Sequence, residues 1–148
     1  MQAGDLVFVR GRSLISRLVL YFDKGEWSHV AIAISDKEVI EAQYLSKVGI
    51  ASLDKYDDYE VIPMNLTPWE QSKLLSIAKT LEGSWYDYRQ VFYYVFRNIF
   101  KLNKEPMWNN PNALICSELV YVLYRSIDRI YGDDYITPNE LYELFRKW

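Results

Sequence analysis

WSHVAIAISDKEVIEAQ, residues 27–43, reads as two β-strands and the turn between them. After Ser28 the run HVAIAI alternates large with small residues, Ser35-Asp36-Lys37 is turn-forming, and EVIEAQ follows as a second run. Side chains alternate across a strand, so Val30, Ile32 and Ile34 are expected to face the core while His29, Ala31 and Ala33 share the other face. The small alanines leave space beside the imidazole, and a helix is expected to fill it. With a three-residue loop at 35–37, Ile34 pairs with Glu38, Ala31 with Glu41 and His29 with Gln43. Gln43 then lies directly opposite His29 and Glu41 on the diagonal, about 7–8 Å away by Cα. A two-residue turn would slip the register by one and carry Glu41 to the far face.

Outward from this hairpin, strands give way to helices. Leu6-Val7-Phe8-Val9, bounded by Gly4 and Gly11, reads as a first strand, and Ser13 caps a short helix reaching Phe22 before Gly25 breaks the pattern. Residues 59–64, YEVIPM, read as another strand with Pro63 at its end or on an edge. Thr67 then caps, Pro68 occupies the first helical position, and apolar residues from Leu74 to Leu81 mark a helix that stops near Gly83. A helix over 87–101 carries a heavy aromatic load, a further helix runs from about Ala113 to Ile127, and Thr137-Pro138 opens a last one over 139–147. The expected architecture is α+β, a small antiparallel sheet packed with helices, in one domain spanning 1–148.

Composition narrows the function classes. Half of the 148 residues are hydrophobic, enough for one packed core without a staple. The single cysteine, Cys116, excludes an internal disulfide and a cysteine zinc cluster, and the single histidine, His29, leaves little for a metal site; neither a metal nor a cofactor is expected. Lys and Arg number 17 against 20 Asp and Glu, a net charge of −3, so no bulk attraction to a phosphate backbone arises and nucleic acid is not an expected partner. Asp5, Arg10, Arg12 and Arg17 interrupt the N-terminal apolar runs, so no signal peptide is expected. VFYYVFRNIF, residues 91–100, falls short of the roughly 20 apolar residues that cross a bilayer, so no transmembrane segment is expected. A cytoplasmic or phage-delivered protein fits these features.

Cys116 lies near the start of its helix, where free backbone N–H groups and the positive dipole end favour a thiolate. Free cysteine also packs readily as a small buried hydrophobe, and position alone leaves both roles open. A nucleophilic cysteine needs a base within hydrogen-bond reach, which His29 would supply, and a third group to orient the imidazole. Glu41 and Gln43 both qualify by face. Trp27, next to Ser28, reads either as a wall of the substrate channel or as packing.

The order GDLVFVRG, WSHVAIAI, IEAQ, YDY, LICSELVYVLYR, TPNEL resembles the circularly permuted NlpC-type papain-like cysteine hydrolases, in particular the YiiX-like branch, over nearly the whole chain. Gly4-Asp5, Ser28-His29, the twelve-residue step to Glu41, and Cys116-Ser117-Glu118 are its specific parts. The resemblance implies a permuted papain-like fold with Cys116 as nucleophile, His29 as base and Glu41 as orienter. It further implies acyl transfer through a thioester, with the oxyanion held by backbone N–H groups that include the one on Cys116. Tyr86-Asp87-Tyr88 resembles a family element in which Tyr86 and Tyr88 line the cleft; core and helix-capping roles fit equally. Asp5 is expected to tie a turn or the opening strand to the site wall, and Ser117 and Glu118 to make structural hydrogen bonds. The function expected is a thiol hydrolase cleaving an amide or peptide bond, in a peptide or a small substrate that includes peptidoglycan fragments. The alternatives are a lipid acyl hydrolase or acyltransferase, for which the aromatic segment 86–100 would supply a channel, and a catalytically silent binding module.

Overall fold

A computed structural model describes residues 1–11, 25–42, 47–83, 111–130 and 137–147, without the side chains of 111–115 and 118. Its strands are β1 (Leu6–Val9), β2 (His29–Ala33), β3 (Glu38–Ala42), β4 (Val48–Ser52) and β5 (Tyr59–Ile62). They form one sheet in the order β4-β3-β2-β1-β5, with every neighbouring pair antiparallel. The α+β class is as expected.

The hairpin has the register of the three-residue loop. Ile32 lies opposite Ile40 and Ala33 opposite Val39, and the Ile34 N–H donates to the Glu38 carbonyl at 2.9 Å. Ser35 Oγ closes the turn by accepting from the N–H groups of Lys37 and Glu38. β5 stops one residue before Pro63, which has no N–H to extend the ladder. β4 has no counterpart in the sequence reading, because its VGIAS carries a glycine and buries only Val48, a weak pattern typical of an edge strand.

Three helices complete the described fold: α1 (Pro68–Leu81), α2 (Pro111–Ser126) and α3 (Pro138–Phe145). α1 and α3 begin alike. Thr67 with Glu70, and Thr137 with Glu140, form reciprocal capping boxes ahead of a proline in the first turn. The helices read at 13–22 and 87–101 lie outside the described residues. No helix among those described is long and apolar enough to cross a membrane.

The sheet has an unequal pair of faces. Leu6, Phe8, Val30, Ile32 and Ile40 pack with Leu74 of α1, Cys116, Val120 and Leu123 of α2, and Leu141 and Phe145 of α3. Val7, Val9, Ala31 and Val39 make a smaller cluster on the other face with Leu53, Tyr56 and Val61. α2 therefore packs against the Val30–Ile32 face and not, as the sequence suggested, into the space beside Ala31. Branched side chains offer more apolar area to bury than alanines, and a helix stabilises most where that area is.

Gly4 shows how tightly β1 is set. Its φ is +92°, and a Cβ there would stand 2.3 Å from Leu66 Cδ1. Its N–H donates to the Ala33 carbonyl at 2.8 Å, and its own carbonyl accepts from the buried Tyr124 hydroxyl. Asp5 beside it accepts from the N–H groups of Gln2 (2.7 Å) and Met64 (3.0 Å), the tying role expected of it. Gly4→Ala combines a left-handed backbone with a clash, so it is expected to cost about 2 kcal/mol or more, measured by urea denaturation. A loss under about 0.5 kcal/mol would show that Leu66 yields freely.

Candidate active site

His29 opens β2, opposite Val9, and the residues before it are tied down from both sides. The Ser28 N–H donates to the Val9 carbonyl at 3.0 Å, and Ser28 Oγ accepts from the Gly11 N–H at 2.8 Å. Asn139, near the start of α3, accepts from the Trp27 N–H at 2.8 Å and donates to the Trp27 carbonyl at 3.0 Å. A Cβ on Gly25 would fall 2.0 Å from Asn139 Cγ, so this clamp needs glycine there. The Trp27 ring is 2% exposed, packed on Phe8 and Tyr142 under the Arg10 guanidinium. Of its two readings, packing accounts for this environment.

Glu41 faces the same side of the sheet as His29, as the register requires, and the long carboxylate spans the diagonal. Its Oε2 lies 2.8 Å from His29 Nε2, although only 1% of the residue is exposed. Two further groups close on it. Lys55 Nζ meets Oε1, and the Tyr56 hydroxyl donates to Oε2. Both come from the 3₁₀ turn Leu53–Lys55 and the residue after it. A buried carboxylate demands partners, which is the sequence signal for such residues, but their identity depends on β4 carrying that turn back over the hairpin.

Cys116 has no exposed surface, whereas 20% of the His29 side chain is open to solvent. Burial disfavours a charged imidazole, but attraction and a hydrogen bond to Cys116, followed by the hydrogen bond and charge of Glu41, outweigh it and raise the His29 pKa from 6.5 to about 9. Burial likewise works against the Glu41 charge, yet the His29, Lys55 and Tyr56 contacts hold its pKa far below the usual carboxylate value. Burial, then Glu41, then Cys116 push the Tyr56 phenol well above its usual range, leaving it a neutral donor.

The helix start differs from its reading in one respect that matters chemically. α2 begins at Pro111, which makes Cys116 its sixth residue. That is beyond the first turn where N–H groups are free and the dipole is felt, so the Cys116 N–H is engaged within the helix and is not an oxyanion donor. Ser117 is buried at 3%. Gln43, Tyr86, Tyr88 and the Glu118 side chain lie outside the described residues.

Among solved structures similar to this chain is the metalloprotein YiiX of Escherichia coli O157:H7, which matches 84% of it with a TM-score of 0.57 and 24% identity. The chain has a YiiX-like fold. It spans 64% of that protein's length, and at this identity the likeness is one of fold. No family model and no curated protein matches the sequence. Among the described residues no group of three or more His, Cys, Asp and Glu side chains is arranged to hold a metal ion.

Proposed function

We propose that this chain is a thiol hydrolase of amide or peptide bonds, with Cys116 as nucleophile, His29 as general base and Glu41 as orienter, on a permuted papain-like fold. The observation carrying the proposal is the 2.8 Å contact of His29 Nε2 with the buried Glu41 carboxylate, and the upward pull of Cys116 on the pKa of the same imidazole supports it. The chain order His29, Glu41, Cys116 and the YiiX-like fold support it.

In the reaction His29 takes the Cys116 proton and the thiolate attacks the substrate carbonyl. The imidazolium returns the proton to the leaving amine, and water, activated by the same ring, hydrolyses the thioester. Glu41 holds the ring and favours its protonated form. The YiiX neighbour is named a metalloprotein, but here Lys55 already meets the Glu41 oxygen that a cation would take, so the donor set does not fit a metal and no step passes through one.

A second reading, the catalytically silent binding module, is favoured by the complete burial of Cys116. Attack on a substrate requires the cover over the sulfur to open. Iodoacetamide separates the readings. Modification of native Cys116 within minutes near pH 7, together with cleavage from a panel of amide, peptidoglycan-fragment and acyl-ester substrates that Cys116→Ala abolishes, is the result expected of a hydrolase. Inertness until denaturation would leave the binding module. Acyl-ester cleavage alone would move the assignment to lipid substrates.

A further inference from the structure

Glu41 is held by more than the catalytic reading asks of it. Orienting an imidazole takes one carboxylate oxygen, whereas here Oε1 meets the Lys55 ammonium while Oε2 accepts from both the Tyr56 hydroxyl and His29. The turn that carries these two residues has its own anchors. Ser52 caps it, the Leu53 N–H donates to the Lys37 carbonyl at 2.8 Å, and the Tyr56 N–H donates to the Leu53 carbonyl at 3.1 Å. These anchors use neither the Lys55 ammonium nor the Tyr56 hydroxyl, and the Tyr56 ring adds only apolar packing to them.

Charge explains what they add. Lys55 balances Glu41, and the Cys116–His29 pair sums to zero both as thiol with imidazole and as thiolate with imidazolium. The cluster therefore stays neutral as the proton moves from sulfur to nitrogen. Without Lys55, a negative charge on Glu41 would stand uncompensated near the forming thiolate, where burial makes it costly. Among the described residues, the groups acting on His29 are Glu41 from β3, Cys116 from α2, and Tyr56 from the turn, whose ring centroid lies 6.1 Å from the imidazole; Lys55 joins through Glu41, and Val9 of β1 is apolar.

We infer that Lys55 and Tyr56 are positioning residues of this site, clamping the Glu41 carboxylate and moderating its hold on the His29 proton. The inference rests on the hydrolase reading for its purpose, but the physical coupling is measurable without turnover. The two donors compete with the imidazole for one carboxylate, so removing either lets Glu41 bind the imidazolium more strongly.

His29 is the chain's one histidine, so its ring resonances are unambiguous in an NMR titration. Lys55→Met is expected to raise the His29 midpoint by about one pH unit, and Tyr56→Phe to raise it by less, while Lys55→Arg stays close to wild type. A structural tether would leave the midpoint in place. An unchanged or lowered midpoint in the folded variants overturns the inference, and if Lys55→Met does not fold, Tyr56→Phe decides alone. Iodoacetamide modification of wild-type Cys116, run beside it, reports on the hydrolase reading separately. An inert thiol defeats that reading, whereas an unmoved His29 midpoint defeats this one.

Discussion

Cys116→Ala and His29→Ala are each expected to lower turnover by on the order of a thousandfold or more, and the double variant should be little worse than either. The reason is that the two side chains form one reacting unit. A thiol without a base is mostly protonated at neutral pH, and a base without a thiol has nothing to activate. The chain has a single residue of each type, so no second cysteine or histidine can substitute. Both substitutions remove atoms rather than add them, and circular dichroism and denaturant midpoints would separate lost chemistry from lost fold. Losses that multiply in the double variant would mean two independent contributions, and the shared mechanism would be abandoned.

Glu41→Gln should have the next largest effect, a fall in rate on the order of a hundredfold or more with the fold retained, and larger than that of Gln43→Ala. Gln keeps the length and one acceptor but removes the charge that favours a protonated ring. Glu41 supplies part of the upward displacement and Cys116 the larger part, so the midpoint should fall below about 9 without reaching the value burial alone would set. The sign carries through to stability. Because the folded His29 pKa is raised, its contribution is fully present below about pH 6.5 and is lost as pH rises through about 9. Glu41 has the opposite displacement, so its contribution is present above its ordinary 4.5 and is lost at lower pH. The pair thus stabilises most between about pH 4.5 and 6.5. Urea midpoints across pH 4 to 10 should show a shallower alkaline decline in Glu41→Gln than in wild type. Parallel declines, or a greater loss of rate from Gln43→Ala, would take the orienting role away from Glu41.

Much of this fold is legible in short stretches. The 28–43 pattern contains its own turn, and three loop residues are enough to set Ala33 opposite Val39 and bring Glu41 to the His29 face. The Thr-Pro pairs at 67–68 and 137–138 mark helix starts because a capping side chain and a missing N–H act within a few residues. Such features depend on period and local hydrogen bonding, which neighbouring residues carry by themselves.

The remaining features depend on where separate pieces meet. Alternation divides Val30 and Ile32 from His29 and Ala31, but which face receives α2 is decided by the apolar area available once all the strands are side by side. Cys116 looks exposed to a helix dipole in the sequence but has no exposed surface in the fold, where it belongs to the larger apolar cluster that sheet and helices build together. Lys55 and Tyr56 carry no motif and lie 14 and 15 residues from Glu41, on a turn delivered by a weakly patterned edge strand. The sequence by itself determined four of the five described strands, the capped helices, the hairpin register and the order of His29, Glu41 and Cys116, because periodicity and capping are local. Only the tertiary structure decided the partners of Glu41 and the burial of Cys116, because desolvation and charge pairing act through space between residues that the chain keeps apart.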